Sequence, residues 1–244
     1  MKGKLTVIGI GPGKREYMTT SALEAIKDSE IIVGYKTYID MVEDLIVGKT
    51  VISNGMMQEV ERCEAAVEKA RNGFSVSVIC GGDAGVYGLA GLVLELLDHD
   101  ERETVQVIPG VTSATACASL LGAPLIHDFA VISLSNLMTE TDLIRKRLKL
   151  AAEGDFVTVI YNPKSIKRKE LFYETAQIFL KFQSPDTPVG IVKDAYRESQ
   201  IVKVTTLENL KSEEWVDMRT TLIIGNSQTI QSGNKMITPR GYRI

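Results

Sequence analysis

The chain has 244 residues, 44% of them hydrophobic and 24% charged, with a formal net charge of −3. That length holds one large or two modest domains with ample core. The slightly acidic balance excludes global attraction to nucleic acid or to an anionic membrane.

In chain order, residues 4–9 form an apolar, β-rich run. Thr19 or Thr20 can cap a helix reaching residue 27, with Ala22, Leu23 and Ile26 on one face. A short apolar strand follows at 30–33, a helix at 37–46 and a strand at 50–52. Residues 58–71 are helical in pattern and stop at Gly73, a natural helix-ending glycine. The pattern continues with a strand at 75–79, a helix at 86–98, a strand at 105–108 and a small-residue helix at 112–121. Strands alternating with helices, each strand continuously apolar, predict a parallel sheet covered on both faces. Gly122-Ala123-Pro124-Leu125 breaks the alternation, so we expect two α/β domains, 1–122 and 126–244. The second half predicts strands at 129–133, 156–161, 188–193, 201–205 and 221–225, with helices at 142–152 and 169–181. It leans on β-branched residues, which suits a mixed sheet. No internal repeat or low-complexity segment occurs.

Three strand ends run into small-residue turns: Gly9-Ile10-Gly11-Pro12-Gly13, Gly81-Gly82-Asp83 with Val86-Tyr87-Gly88, and Pro109-Gly110-Val111-Thr112-Ser113-Ala114. Glycine admits positive φ and lets a ligand approach the backbone closely. Open α/β sheets bind ligands at strand carboxyl ends, so three such turns together point to a site. The first is G-x-G-x-G, which misplaces the third glycine of a dinucleotide fingerprint, and Pro12 removes an N–H that a pyrophosphate would use. Neither a P-loop nor G-x-S-x-G occurs. Asp83 reads both as an Asx-type cap of the helix starting near Val86 and as a contact to a polar or cationic ligand. Tyr161-Asn162-Pro163 reads as a strand-end bend, followed by Lys164, Lys167, Arg168 and Lys169. Positive charge at the start of a helix opposes the dipole and so favours an anion-binding role. Lys193-Asp194-Ala195-Tyr196-Arg197 sits at another strand end.

Cys63, Cys80 and Cys117 are far apart and form no C-x-x-C pair, and His99 and His127 are the two histidines. We expect reduced, buried thiols and no metal site. The start of the chain lacks a signal-peptide layout, and the apolar stretch 86–97 is broken by Glu95 and too short to span a bilayer. A cytoplasmic setting without membrane attachment is therefore expected.

The three turns resemble the first loop, the GGD loop and the PGxTSA segment of the tetrapyrrole (corrin/porphyrin) methylases, over nearly the whole chain. Within that family the resemblance is strongest to the C-17 methyltransferases of precorrin-3B and cobalt-factor III. It is carried by Val33-Gly34-Tyr35-Lys36-Thr37-Tyr38-Ile39, by His127-Asp128-Phe129 with Ile132-Ser133-Leu134-Ser135, by Tyr161-Asn162-Pro163-Lys164-Ser165 with Arg168, and by Thr238-Pro239-Arg240-Gly241-Tyr242. One departure is Asn136, where many relatives are expected to carry aspartate. The chain also lacks the cysteines of an iron–sulfur extension.

The resemblance implies two α/β domains with S-adenosylmethionine in the cleft between them, a tetrapyrrole substrate and a homodimer. It implies cofactor contacts at Pro12, Gly81, Gly82, Asp83, Val86, Tyr87, Thr112, Ser113, Ala114, Tyr161, Asn162, Ala195 and Thr221. Methylation at C-17 with ring contraction needs proton transfers, for which Tyr35, His127, Asp128 and Ser133 are candidates; His127 also reads as a plain structural histidine. Cations suited to the substrate's carboxylates are Lys14, Arg15, Lys36, Lys164, Arg168, Arg197 and Arg240. Two alternatives stay open: another tetrapyrrole-fold methylase acting on a different precorrin, and a non-catalytic α/β protein that binds a small ligand.

Overall fold

The computed structural model describes residues 1–55 and 57–243. The chain divides into two compact units, Met1–Ser113 and Ala114–Ile244.

In the first unit five parallel strands, β1 (Lys4–Gly9), β2 (Ile31–Tyr35), β3 (Thr50–Asn54), β4 (Ser75–Cys80) and β5 (Gln106–Ile108), lie in the order β3-β2-β4-β1-β5. The steps β1→β2 and β2→β3 run one way across the sheet, and β3→β4 and β4→β5 run the other. Crossovers between parallel strands are right-handed, so opposite directions place the connecting helices on opposite faces. Helix α1 (Thr20–Asp28) accordingly packs Ala22 and Ile26 against Ile8, Ile32, Ile79 and Ile108, and α2 (Lys36–Asp40) adds Ile39 to that face. Helices α3 (Glu59–Arg71) and α4 (Ala90–Glu95) pack Cys63, Ala66, Ala90 and Val93 against Leu5, Val7, Val33 and Val78 on the other. Thr19 caps α1 as its spacing predicts, with Oγ1 accepting the Ala22 N–H at 3.1 Å.

Two expected helices are shorter than the apolar pattern suggests. The helix predicted for 37–46 ends at Asp40, and a separate turn of 3₁₀ helix covers Glu43–Leu45. The one predicted for 86–98 begins only at Ala90. There Asp83 Oδ1 holds the Gly85 and Val86 N–H groups in an Asx turn, and Tyr87 sits in the left-handed region at φ 55°. A one-turn helix that the apolar pattern does not show, α5 (His99–Arg102), is opened by a capping box between Asp98 and Glu101.

The second unit carries β7 (Phe129–Ser133), β8 (Val157–Tyr161), β9 (Pro188–Lys193), β10 (Ile201–Thr206) and β11 (Thr220–Ile224) in the order β10-β9-β11-β8-β7. Only β7 and β8 pair in parallel, so the sheet is mixed. Helices α7 (Thr141–Glu153) and α8 (Glu170–Phe179) cover one face through Ile144, Leu148, Phe172 and Phe179. Helix α6 (Ser113–Leu121) covers the other, burying Cys117 and Leu121 against Val157, Val192 and Ile223. Gly190 admits it: a Cβ there would run into Leu121. That packing makes α6 part of the second unit. The unit division therefore falls one helix before the boundary expected at residues 122–126. A small sheet of β6 (Gly122–Ala123), β13 (Lys235–Ile237) and β12 (Ile230–Ser232) then ties the 228–238 tail to this unit.

Candidate functional site

The three glycine turns follow β4, β1 and β5, which are neighbours in the sheet, so all three emerge at the same edge. The connections after β1 and β4 leave towards opposite faces, which is the arrangement that opens a ligand crevice in open α/β sheets. The turns are joined directly. The Gly11 N–H donates to the Gly82 carbonyl at 3.0 Å and the Gly82 N–H to the Gly11 carbonyl at 2.8 Å. Asp83 Oδ2 accepts the Gly110 N–H at 2.9 Å. A Cβ on Gly110 would overlap the Gly82 carbonyl oxygen, and one on Gly9 would stand 2.7 Å from it, so both glycines serve close backbone packing. Gly82 differs. It takes φ +70°, and its missing Cβ would meet nothing nearer than the backbone of 111–113 at 3.8–3.9 Å. Beside the backbone of Thr112 and Ser113 there is thus room for one methyl group, a narrow slot at Gly82. Pro12 is buried, while Val86 and Tyr87 are exposed apolar side chains on the same loop edge. Asp83 accepts three backbone N–H groups through its two oxygens, so it shapes the loops at this edge.

Tyr35 ends β2 at this same edge, packed edge-to-face on Tyr38 with ring centres 5.6 Å apart. Lys36 follows it on the surface; Lys14 and Arg15 are also exposed, and Arg15 reaches Asp44 at 3.4 Å.

In the second unit β8 and β9 both run antiparallel to β11, so they share a direction, and β7 shares it too. Their carboxyl ends gather Ser133, Tyr161, Asn162 and Ala195 at one edge, with Thr220 and Thr221 at the adjoining start of β11. Tyr161 Oη accepts the buried Ala114 N–H at 2.7 Å, and Thr221 hydrogen-bonds the Cys117 thiol. Asn162 sits at φ 51° and donates from Nδ2 to Ser133 Oγ at 3.0 Å, which also accepts the Ser135 N–H at 3.1 Å.

His127 and Asp128 do not join this group. They precede β7 and so lie at its amino end, about 15 Å of strand away from Ser133. Both are exposed, and His127 Nδ1 accepts the Asp128 N–H at 2.9 Å, which fixes the Nε2–H form of the neutral ring. Arg240 lies near them, its Nη1 donating to the Ile126 carbonyl at 3.2 Å. One strand length thus separates two of the candidates for the proton transfers from a third.

Lys164 is not a solvated cation. It is 7% exposed, with Nζ donating to the Glu214 carbonyl at 3.1 Å and lying over the Phe172 and Tyr173 rings. Arg168 is half-buried, donating from Nη1 to the Leu134 carbonyl at 2.6 Å and from Nη2 to Met218 Sδ at 3.3 Å. Burial pushes its pKa down from the usual guanidinium value. Arg197 closes the turn after β9 through its N–H to the Asp194 carbonyl. Asn136, exposed, donates to Thr141 Oγ1 at 3.2 Å.

Sequence reasoning passed over the network that shapes the loop after β9. Asp194 is 3% exposed at φ 49°, with Oδ2 accepting from Ser199 Oγ at 2.8 Å and paired with Arg219 Nη1 at 3.2 Å. Tyr196 Oη meets Ser119 Oγ at 2.6 Å. Asp194 and its partner Arg219, which directly precedes β11, are separated by 25 positions, so no local pattern joins them. Among the described residues no group of three or more His, Cys, Asp or Glu is placed to hold a metal, and no helix is long and apolar enough to cross a membrane.

The sequence profile of the tetrapyrrole (corrin/porphyrin) methylases matches residues 4–211. A cobalt-factor III methyltransferase of Priestia megaterium is 49% identical over all of this chain, which spans 46% of that protein. A probable cobalt-factor III C(17)-methyltransferase of Salmonella typhimurium is 47% identical over 98% of this chain and 100% of its own length. The crystal structure of the methyltransferase CobJ superposes with a TM-score of 0.90 at 33% identity, covering 97% of this chain and 100% of that one.

Proposed function

The chain belongs to the tetrapyrrole (corrin/porphyrin) methylases, and we propose that it methylates C-17 of cobalt-factor III or precorrin-3B with contraction of the ring. The enzymes of this family are S-adenosylmethionine-dependent C-methyltransferases, and this chain is one of them. The names of its relatives favour the cobalt-loaded ring.

The observation that carries the cofactor reading is the Gly11–Gly82 backbone bridge with the Cβ-free slot beside Thr112 and Ser113. S-adenosylmethionine, when bound, supplies an electrophilic methyl group on a sulfonium. An electron-rich macrocycle carbon is its own nucleophile, so the protein's part is to position both reactants and exclude water. Under this reading the cofactor contacts are Pro12, Gly81, Gly82, Val86, Tyr87, Thr112, Ser113, Ala114, Tyr161, Asn162, Ala195 and Thr221. Asp83 acts by holding the turns in place.

Ring contraction adds proton transfers. Ser133 Oγ accepts two N–H donors, which lowers its basicity and suits it to giving a proton rather than taking one. Tyr35 is the second acid/base candidate. Exposure and strand-end position make His127 and Asp128 weaker ones. The proposed setting is cytoplasmic, as a homodimer.

Calorimetric titration with S-adenosylhomocysteine tests the cofactor reading, with a low-micromolar or tighter Kd expected, about −8 kcal/mol. No binding to the folded protein sinks it. Turnover of metal-free against cobalt-loaded substrate then decides between the two rings.

A further inference from the structure

Gly81 and Gly82 are adjacent, yet a side chain would meet different surroundings at each. A Cβ on Gly82 would have no neighbour nearer than 3.8 Å. At Gly81 the place of the missing Cβ is taken by the Tyr38 ring: a Cβ there would stand 2.3 Å from Cε1 and 2.6 Å from Cζ. The ring can lie on the turn after β4 only because residue 81 has no side chain.

Tyr38 reaches that turn from α2, which starts at the end of β2, the neighbour of β4 in the sheet. Gly34 draws the two together. It sits in register with Ile79, and a Cβ on it would come within 2.6 Å of the Ile79 side chain and 3.2 Å of Ile39. Without that Cβ, Ile39 and Ile79 share one buried cluster, and Tyr38 packs against the same cluster.

The Tyr38 ring also meets Tyr35 edge-to-face, with ring centres 5.6 Å apart and planes at 80°. The positive edge of one ring against the negative face of the other favours that arrangement. The backbone of Tyr35 is fixed independently. It pairs in register with Asn54 of β3, and the Asn54 and Gly55 carbonyls accept from the Arg62 guanidinium, 2% exposed, at 3.4 and 2.7 Å. What remains for Tyr38 to set is the direction of the Tyr35 ring.

We infer that Tyr38 is a positioning residue of the reaction: its ring, seated on Gly81, orients Tyr35 beside the turn that carries Gly82. This rests on the function proposed above, in which Gly82 belongs to the cofactor site and Tyr35 is an acid/base candidate. A phenol that gives or takes a proton must hold its oxygen within hydrogen-bond reach of the reacting centre. A ring free to turn loses that placement, and a displacement of about 1 Å can cost about a hundred-fold in rate. Tyr38 acts through Tyr35, so kcat registers its loss and cofactor affinity does not.

The test is steady-state turnover of cobalt-factor III by the full chain, with S-adenosylhomocysteine calorimetry and urea unfolding of each variant. Tyr38→Ala is expected to lower kcat about ten- to a hundred-fold. Its KM and its S-adenosylhomocysteine Kd should stay within about two-fold of the unsubstituted chain. Tyr38→Phe keeps the ring and should recover most of the lost kcat. In a chain already carrying Tyr35→Phe, Tyr38→Ala should lower kcat by no more than about two-fold further, because the hydroxyl it orients is gone. Gly81→Ala should lower the urea midpoint, and by clearly less beside Tyr38→Ala, where the ring it meets is absent. If Tyr38→Ala proves unfolded, Tyr38→Leu carries the same comparisons.

An unchanged kcat in Tyr38→Ala overturns the inference. So does an undiminished loss in the Tyr35→Phe background, or a weakening of S-adenosylhomocysteine equal to the loss of kcat. If the unsubstituted chain binds S-adenosylhomocysteine but does not turn over cobalt-factor III, the substrate reading fails and this inference with it; the variant outcomes overturn the inference alone.

Discussion

Gly11 and Gly82 face each other as an isolated antiparallel pair, N–H to carbonyl in both directions at 3.0 and 2.8 Å, at the carboxyl ends of two parallel strands. Adjacent parallel strands have no reason to pair again beyond their ends. The bridge exists because Gly11 at φ +75° and Gly82 at φ +70° turn both chains back towards each other. It locks two of the three turns into one surface.

The glycines of that surface are expected to respond differently to a methyl group. Gly82→Ala meets no atom nearer than 3.8 Å, so its cost is the left-handed backbone alone, about 1–2 kcal/mol. Gly110→Ala must displace the Gly82 and Gly9 carbonyls, both of which are backbone. Chemical denaturation should rank Gly110→Ala well below Gly82→Ala in stability. Calorimetry should find Gly82→Ala folded and weakened for S-adenosylhomocysteine, because the new Cβ fills the slot. Normal affinity in Gly82→Ala leaves the slot without a ligand.

Asp83 provides the second expectation. Its two oxygens accept three N–H groups, from Gly85, Val86 and Gly110, at 2.8–2.9 Å. Asp83→Asn keeps one oxygen but points an NH₂ group at one of these donors. Losing a charge-assisted bond and facing donor to donor should cost about 1.5–3 kcal/mol in urea unfolding. Hydrogen exchange should quicken at Gly85, Val86 and Gly110 while the strands stay protected. A fully protected Gly110 amide in this variant would refute the linking role.

Local pattern made the architecture legible, and long-range pairing set what it missed. The alternation of apolar strands and helices foretold both α/β units, and the mixed second sheet followed from β-branched content. The late start of α4 depended on where the Asp83 side chain turns, which periodicity does not encode. The pairing of β6 with β13 joins residues more than a hundred positions apart and leaves no local mark. The three turns were readable because glycine at strand ends is a strong signal, and the sheet order brought them together. His127 and Ser133 were offered for the same step, and only the run of β7 shows that they occupy opposite ends of one strand. The burial of Lys164 was not legible locally, because the aromatic side chains that cover it, Phe172 and Tyr173, come from the following helix.

The thiols supply a pH-dependent expectation. Burial first, then the neighbouring Cys80, pushes Cys63 up to about 12; burial pushes Cys80 to about 11 and Cys117 to about 12. At neutral pH all three are protonated in the fold, so a thiol reagent should label none until the chain unfolds and all three afterwards. The sign for stability follows. An acid whose folded pKa is raised is neutral in both states below about pH 8.5, and above it the unfolded chain alone ionises. Stability should therefore hold through neutral pH and decline as pH rises from there towards the folded values. Replacing all three cysteines by alanine should remove that alkaline decline while lowering stability at every pH. Rapid native labelling of any one of them contradicts the burial that sets these values.

Tyr161 joins the end of β8 to the start of α6. Its phenol oxygen accepts the Ala114 N–H at 2.7 Å, and Ala114 is 1% exposed. The first N–H groups of a helix have no partner within it, so an acceptor must come from elsewhere. Here it comes from a strand end on the same sheet that the helix covers. Tyr161→Phe keeps the ring and removes that acceptor, leaving a buried donor unpaired at a cost of about 1–3 kcal/mol. Denaturant unfolding should show a lower midpoint with an unchanged slope, since the surface exposed on unfolding hardly changes. Thr112 and Ser113 directly precede this helix start, so S-adenosylhomocysteine affinity should fall with stability. An unchanged midpoint in Tyr161→Phe would mean that the Ala114 N–H finds another acceptor, and that Tyr161 does not position the helix start.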